Sequence, residues 1–116
     1  MTLKRPTGEG CRVEADRYLA ECFANESAPH INELAARVGL SPTALSRAFR
    51  AEEGVALSEY LKIARVARAR QLLATTDLPT AAIAYAAGFG TRVTFFRAFR
   101  RSTGMTPDEY RSTQKM

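Results

Sequence analysis

Cysteine, histidine and long apolar runs are scarce in this chain, and each shortage removes a class of function. There are two cysteines, Cys11 and Cys22, and one histidine, His30. A tetrahedral zinc site takes four such ligands, so no metal and no cofactor is expected. On one helix the two cysteines would stand about 16 Å apart along the axis, beyond the reach of a disulfide, which fits a reducing compartment. His30 precedes Ile31 at a helix start and reads as a surface or cap residue. Neither cysteine has an activating base nearby, so no catalytic residue and no enzyme is expected. There is no secretory signal pattern and no apolar run of roughly 20 residues. The expectation is a soluble cytoplasmic protein with no membrane partner.

With 116 residues the chain can form one domain or two very small lobes, and such lobes need a shared connecting helix to build a core. The net charge of +5 is uneven: from Ser41 onward there are twelve Lys or Arg against six Asp or Glu, and before it five against six. The positive excess therefore lies where attraction to phosphate would use it, in the part of the chain that carries the motifs below.

The most informative stretch is GFGTRVTFFRAFRRSTGMTPDEYR, residues 88–111. Phe95 and Phe99 fall one helical turn apart, and Arg97, Arg100 and Arg101 adjoin them, so an apolar edge meets a basic one. Gly104 sits where a left-handed residue ends a helix. Thr106, Pro107 and Glu109 then restart one, with Thr as cap, Pro at the first position and Glu reaching back. The pattern has a weaker precedent: Arg47, Ala48, Phe49, Arg50, Gly54, Glu59 and Tyr60 recur as Arg97, Ala98, Phe99, Arg100, Gly104, Glu109 and Tyr110. The chain is a duplication. Upstream, Ala35 and Gly39 answer Ala84 and Gly88 one residue closer, so the second copy holds an extra residue within Gly88, Phe89, Gly90 and Thr91.

Each copy reads as helix, tight turn, helix. In the first, Leu34, Ala35 and Val38 lead to Gly39, then Ser41 caps and Pro42 opens a helix anchored by Leu45 and Phe49. That is a helix-turn-helix pattern. Around the copies, Ala15, Tyr18, Leu19, Cys22 and Phe23 share a face of a first helix from about 11 to 24. Leu61, Val66, Ala69, Leu72 and Leu73 lie within the stripe of a long helix from about 57 to 74, which spans about 27 Å. Arg65 is expected to lay its stem on the core and meet a carboxylate, while Lys62, Arg68 and Arg70 read as solvated. A short last helix should run from Pro107 to about Ser112. The fold class is all-α with about seven helices: a loose arm at 1–10 with Lys4 and Arg5, a first lobe at 11–56, a linker helix at 57–74 and a second lobe at 75–116.

From Ile31 to Arg111 the segments LAARVGLS, LSRAFR, Arg65–Leu73, IAYAAGF, FFRAFR and GMTPDEYR resemble the DNA-binding region of the AraC/XylS family of bacterial transcription regulators. The resemblance implies two homeodomain-like three-helix lobes, each sending its second helix into a major groove. It implies double-stranded DNA as partner, with RNA polymerase a further candidate, and a nucleoid-associated protein. Thr43, Ser46 and Arg47 take base-facing positions on the helix at 42–52, and Arg92, Val93, Phe96 and Arg97 take those on the helix at 91–102. Arg pairs with guanine O6 and N7, Thr and Ser make shorter contacts, and Val93 and Phe96 offer apolar contact to thymine methyls. Phe96 is expected outward, with a neighbouring lobe or partner surface as its other use. Ser41, Arg50, Thr91, Arg100 and Arg101 are the candidate phosphate ligands. Two unlike recognition helices on one chain predict an asymmetric operator read by a monomer, with half-sites about one turn apart. A protein-interaction module of the same fold is the competing class, and Arg47 and Arg97 at both outward positions argue against it.

Overall fold

The computed structural model describes residues 10–114, and among these there are seven α-helices and no strand. The arm carrying Lys4 and Arg5 lies outside the described residues. The helices are α1 (Gly10–Asn25), α2 (Ile31–Val38), α3 (Pro42–Glu53), α4 (Leu57–Thr75), α5 (Thr80–Ala86), α6 (Arg92–Thr103) and α7 (Pro107–Gln114). They depart little from the periodicity. Thr91 stands outside α6 as its N-cap, and α7 continues past Ser112 to Gln114. The chain divides into two compact units, one holding the residues up to Glu21 with Pro29–Leu61, the other Cys22–Ala28 with Lys62 onward. Helices α1 and α4 thus supply residues to both. Cys11 and Cys22 are buried and not joined in a disulfide, as their spacing requires.

In the first unit Ala15, Tyr18, Leu19, Leu34, Ala35, Leu45, Phe49, Leu57 and Leu61 are buried, and α2 packs on α3. The turn between these helices works as its residues dictate. Gly39 takes φ 77, which lets its own N–H return to Ala36 O at 3.3 Å and that of Leu40 to Ala35 O at 3.0 Å. Ser41 is extended and its Oγ accepts the Ala44 N–H at 3.1 Å, while Pro42 opens α3 where no donor is needed. Long-range polar contacts hold α1. The Cys11 N–H donates to Glu52 Oε1 at 2.9 Å, and Gly10 beside it takes φ 59, a conformation that favours glycine. The Tyr18 hydroxyl accepts the His30 N–H at 2.8 Å and donates to Glu33. Arg37 lies 5.1 Å above the Tyr18 ring and pairs with Glu21, which holds that carboxyl below its ordinary range.

Tyr60 closes this unit on α3 and α1, with its ring centroid 5.1 Å from that of Phe49 and its hydroxyl donating to Asp16 at 2.5 Å. Burial, and then the Asp16 carboxylate, push its pKa from 10.0 up to about 12. The folded state therefore favours the protonated phenol, so the contribution of Tyr60 is complete below about pH 10 and is lost as pH rises toward 12. Wild type should lose denaturant midpoint relative to Tyr60→Phe across that window. Equal pH dependence in the two proteins would mean that Tyr60 is not perturbed.

The second unit's core gathers Val66, Ala69, Leu72 and Leu73 of α4, Ile83 and Ala84 of α5, Ala87 and Phe89 of the turn, and Phe95 and Phe99 of α6. Four aromatic rings run through it in sequence, with centroids 5.2 Å apart for Phe89–Phe95, 5.6 Å for Phe95–Phe99 and 5.6 Å for Phe99–Tyr110. The turn repeats the bonds of the first copy: Gly88 N–H to Tyr85 O at 3.0 Å and Phe89 N–H to Ala84 O at 2.8 Å. Phe89 therefore answers Leu40. The inserted residue is Gly90, at φ 82, between Phe89 and the cap Thr91. The restart at α7 is a reciprocal capping box, Thr106 N–H to Glu109 Oε1 at 2.9 Å and Glu109 N–H to Thr106 Oγ1 at 3.1 Å.

Of the α4 cations read as solvated, Arg70 is exposed, whereas Lys62 and Arg68 are half-buried. Arg65 is half-buried with its guanidinium 5.0 Å above the Phe89 ring, and desolvation draws its pKa down. Arg68 lies over Phe23 and Arg70 over Tyr110, each at 5.8 Å, because a flat cation can cover an aromatic face while keeping its edge wet. Arg111 of α7 donates to Thr76 O at 3.2 Å and to Leu73 O at 3.5 Å, closing carbonyls at the end of α4.

Candidate nucleic-acid interface

Helix α3 buries Leu45 and Phe49, at 1% and 0% exposure, so helical geometry sends Thr43, Arg47 and Arg50 outward, with Ser46 half-exposed between them. Ser46, Arg47 and Arg50 line a shallow depression framed by Ile31 at the start of α2 and by Ala56, Leu57 and Ser58 at the start of α4. No carboxylate lines it, and the opening turns of two helices border it, where unpaired N–H groups favour an anion. Thr43 stands a turn before Arg47, outside the depression. Ser41 is exposed, and its oxygen accepts the cap bond while its own proton stays available.

The second unit repeats this construction. Arg92, Val93, Phe96, Arg97, Arg100 and Thr106 line the matching depression. With the offset of the duplication, Phe96 answers Ser46, Arg97 answers Arg47, Arg100 answers Arg50 and Thr106 answers Ala56. The frame residues Ala56 and Thr106 were not among the candidates. Their signal was present in their equal offset from Arg50 and Arg100.

Three side chains have neighbours that periodicity does not give. Phe96 is half-buried, packed on the core of its own unit edge-on to Phe95 at 5.8 Å, with the Arg92 guanidinium 4.4 Å above its ring. The reason is local: Phe95 and Phe99 create an apolar margin that a neighbouring Phe can cover, and Arg92 then covers Phe96 in turn. The outward face is therefore Arg92, Val93 and Arg97, with Val93 at 63% exposure. Thr91 is exposed, but its Oγ1 accepts the Thr94 N–H at 3.0 Å and bonds Thr94 Oγ1 at 2.9 Å, so its hydroxyl is engaged in the cap. Arg101 does not join Arg100. It lines a separate depression on the flank of α6 with Lys62, Arg65, Phe89, Thr94, Arg97 and Ala98. Among the described residues no group of His, Cys, Asp and Glu is placed to hold a metal ion, and no helix is long and apolar enough to cross a membrane.

Comparison with known proteins agrees with this geometry. A helix-turn-helix domain family matches residues 34–113. The arabinose operon regulatory protein of Escherichia coli K12 is 33% identical over 99 residues, covering 85% of this chain and 34% of the relative. An HTH-type transcriptional regulator of Mycobacterium tuberculosis is 42% identical over 84 residues, 72% of this chain and 32% of that protein. The chain thus spans about a third of the length of these relatives. The crystal structure of the DNA-binding domain of AdpA, a global transcriptional factor in complex with a target DNA, superimposes with a TM-score of 0.76 at 30% identity, covering 86% of this chain and 91% of that one. The chain belongs to the AraC/XylS family of helix-turn-helix transcription regulators, which it matches over their DNA-binding domain.

Proposed function

We propose that the chain reads double-stranded DNA sequence-specifically and acts in the control of transcription. The observation that carries this is the repetition of one arginine-bearing face on α3 and on α6, each bordered by the residue that precedes the following helix, Ala56 and Thr106. Thr43, Ser46 and Arg47 on α3, and Arg92, Val93 and Arg97 on α6, read base edges. Phe96 supports Arg92 from below and offers its exposed edge to a thymine methyl. Ser41, Arg50, Thr91, Arg100 and Arg101 position the helices on phosphates, Thr91 through its backbone N–H. The operator is asymmetric with half-sites about one turn apart, the chain binds it as a monomer, and RNA polymerase and a nucleoid location in the cytoplasm complete the reading. Selection of bound sites from random duplexes tests it, since an unenriched pool after several rounds would defeat sequence-specific recognition.

Arg47→Ala and Arg97→Ala should each weaken the selected site by about 1–3 kcal/mol and relax choice at one or two base pairs. Arg101→Ala should weaken all sequences alike and reduce the salt slope by about one phosphate contact. Binding isotherms on selected and random duplexes across a salt series separate the roles. Equal weakening of both duplexes by Arg47→Ala, with an unchanged slope in Arg101→Ala, would reject the division into base and phosphate ligands.

A further inference from the structure

Helix α6 carries a second basic surface on its flank, which shares Arg97 with the base-reading one. Its flank, with the start of α4 and the Phe89 turn, encloses a depression of about 220 Å³ lined by Lys62, Arg65, Phe89, Thr94, Arg97, Ala98 and Arg101. Four of these are cations, none is acidic, and the apolar part is formed by Phe89 and Ala98. Arg65 lies flat on Phe89 at 5.0 Å and is half-buried there, so its charge is partly withdrawn from water.

The duplication shows which of these residues the fold itself needs. At the matching positions the first copy holds Leu40 for Phe89, Ala44 for Thr94 and Ala51 for Arg101, while Arg47 and Ala48 match Arg97 and Ala98. A helix-turn-helix is built in the first unit with Leu, Ala and Ala. Phe89 also serves the core of its unit and Thr94 the cap of α6, whereas the guanidinium of Arg101 stands where the first copy folds with an alanine, and all three line one depression.

We infer that this depression is a phosphate-ester site in which Lys62, Arg65 and Arg101 hold the phosphate, Thr94 adds a hydroxyl, and Phe89 and Ala98 meet the apolar part of the ester beside the charge. Four cations suit a phosphomonoester, with its charge of about −1.5 to −2 at pH 7, better than a carboxylate. A cavity of about 150 Å³ holds benzene, so this one has room for an aryl group of that size next to the phosphate. A free small phosphomonoester offers that charge; a DNA backbone phosphate, a diester of single negative charge, offers the same oxygens with half of it, and the test separates the two. Arg97 lines both this depression and the base-reading one, so a free ester and DNA would compete for it. That competition rests on the proposed DNA reading; the site itself does not.

The test uses the whole chain and phenyl phosphate without DNA, followed through backbone amide signals. Saturable shifts at Phe89, Thr94 and Ala98 are expected, weakened about tenfold in Arg101→Ala and in Phe89→Leu, the residues of the first copy. Sulfate and benzyl alcohol supply the charge and the ring separately and should move these signals far less. Sulfate acting as strongly as phenyl phosphate would overturn the ester assignment. On the selected duplex, a salt slope reduced by about 0.9 in Lys62→Ala assigns DNA as a source of the phosphate. Amide signals unmoved by phenyl phosphate, together with an unchanged slope in Lys62→Ala, would overturn the site. Absence of DNA binding with saturable phenyl phosphate binding would reject the DNA reading alone.

Discussion

Phe49→Ala and Phe99→Ala should each remove about 3–5 kcal/mol of stability, against roughly 5–15 that a domain has to lose. Both rings are fully buried, at 0% exposure, and each sits against the Tyr that opens the next helix of its unit, Phe49 with Tyr60 at 5.1 Å and Phe99 with Tyr110 at 5.6 Å. Truncation leaves a void bordered by an aromatic ring that cannot collapse into it without pulling a helix along. The two substitutions differ in what they disturb. Phe49 supports a tyrosine whose hydroxyl continues to Asp16, so its loss should also loosen α1, whereas Phe99 lies in the row from Phe89 to Tyr110 that backs α6. Denaturant melts give the size of each effect, and a wild-type midpoint in either variant would mean that the inward faces of α3 and α6 are wrongly assigned.

That both rings could be placed from sequence reflects the physics of short helices. Ser41, Pro42, Gly54, Gly104, Thr106 and Glu109 act on neighbours within a few residues, so the boundaries they set were legible. The duplication added a second reading of every inward position and located the inserted residue to a turn. Only the backbone could show that it is Gly90, because the bonds Leu40 N–H to Ala35 O and Phe89 N–H to Ala84 O are what align Phe89 with Leu40. Contacts between remote residues left no local trace. Glu52 closing the start of α1 at Cys11 and Tyr18 accepting the His30 N–H depend on how helices meet. Aromatic neighbours decided the cations in the same way: Arg65, Arg68, Arg70 and Arg92 each lie over a ring that is distant in sequence or on the next turn. For the candidate interface, the faces of α3 and α6 followed from periodicity, but periodicity assigns an angle and not an exposure. Phe96 has an outward angle and still packs on Phe95.

Five base pairs inserted between the two half-sites of the selected operator should cost roughly 2–6 kcal/mol, the worth of about two read base pairs at 1–3 each, and ten inserted pairs should not restore it, because the second groove then faces the right way but lies about 34 Å further along the duplex. Under the proposed reading, the reason lies in the covalent path between α3 and α6. Helix α3 ends at Gly54 and α4 starts at Leu57, so almost no slack separates the first reading helix from a continuous helix that runs to Thr75. On the other side Thr76–Pro79, α5 and the Gly88–Thr91 turn lead to α6, and Thr76 is itself fixed by its N–H to Leu72 O at 3.0 Å and by Arg111 on its carbonyl. Under the proposed bipartite reading, one unit must then release its bases while its cations keep some phosphate contact. The salt slope should accordingly fall less than the affinity does. The unit that lets go should be the second, because α6 offers Val93 and a covered Phe96 where α3 offers Thr43 and Ser46, and hydrogen bonds discriminate bases more strongly than apolar contact. Arg97→Ala should therefore add little to the loss on the five-pair insertion, while Arg47→Ala should still cost its full amount. An insertion of five pairs that binds as tightly as the original site would show that the two units do not act as a fixed bipartite reader.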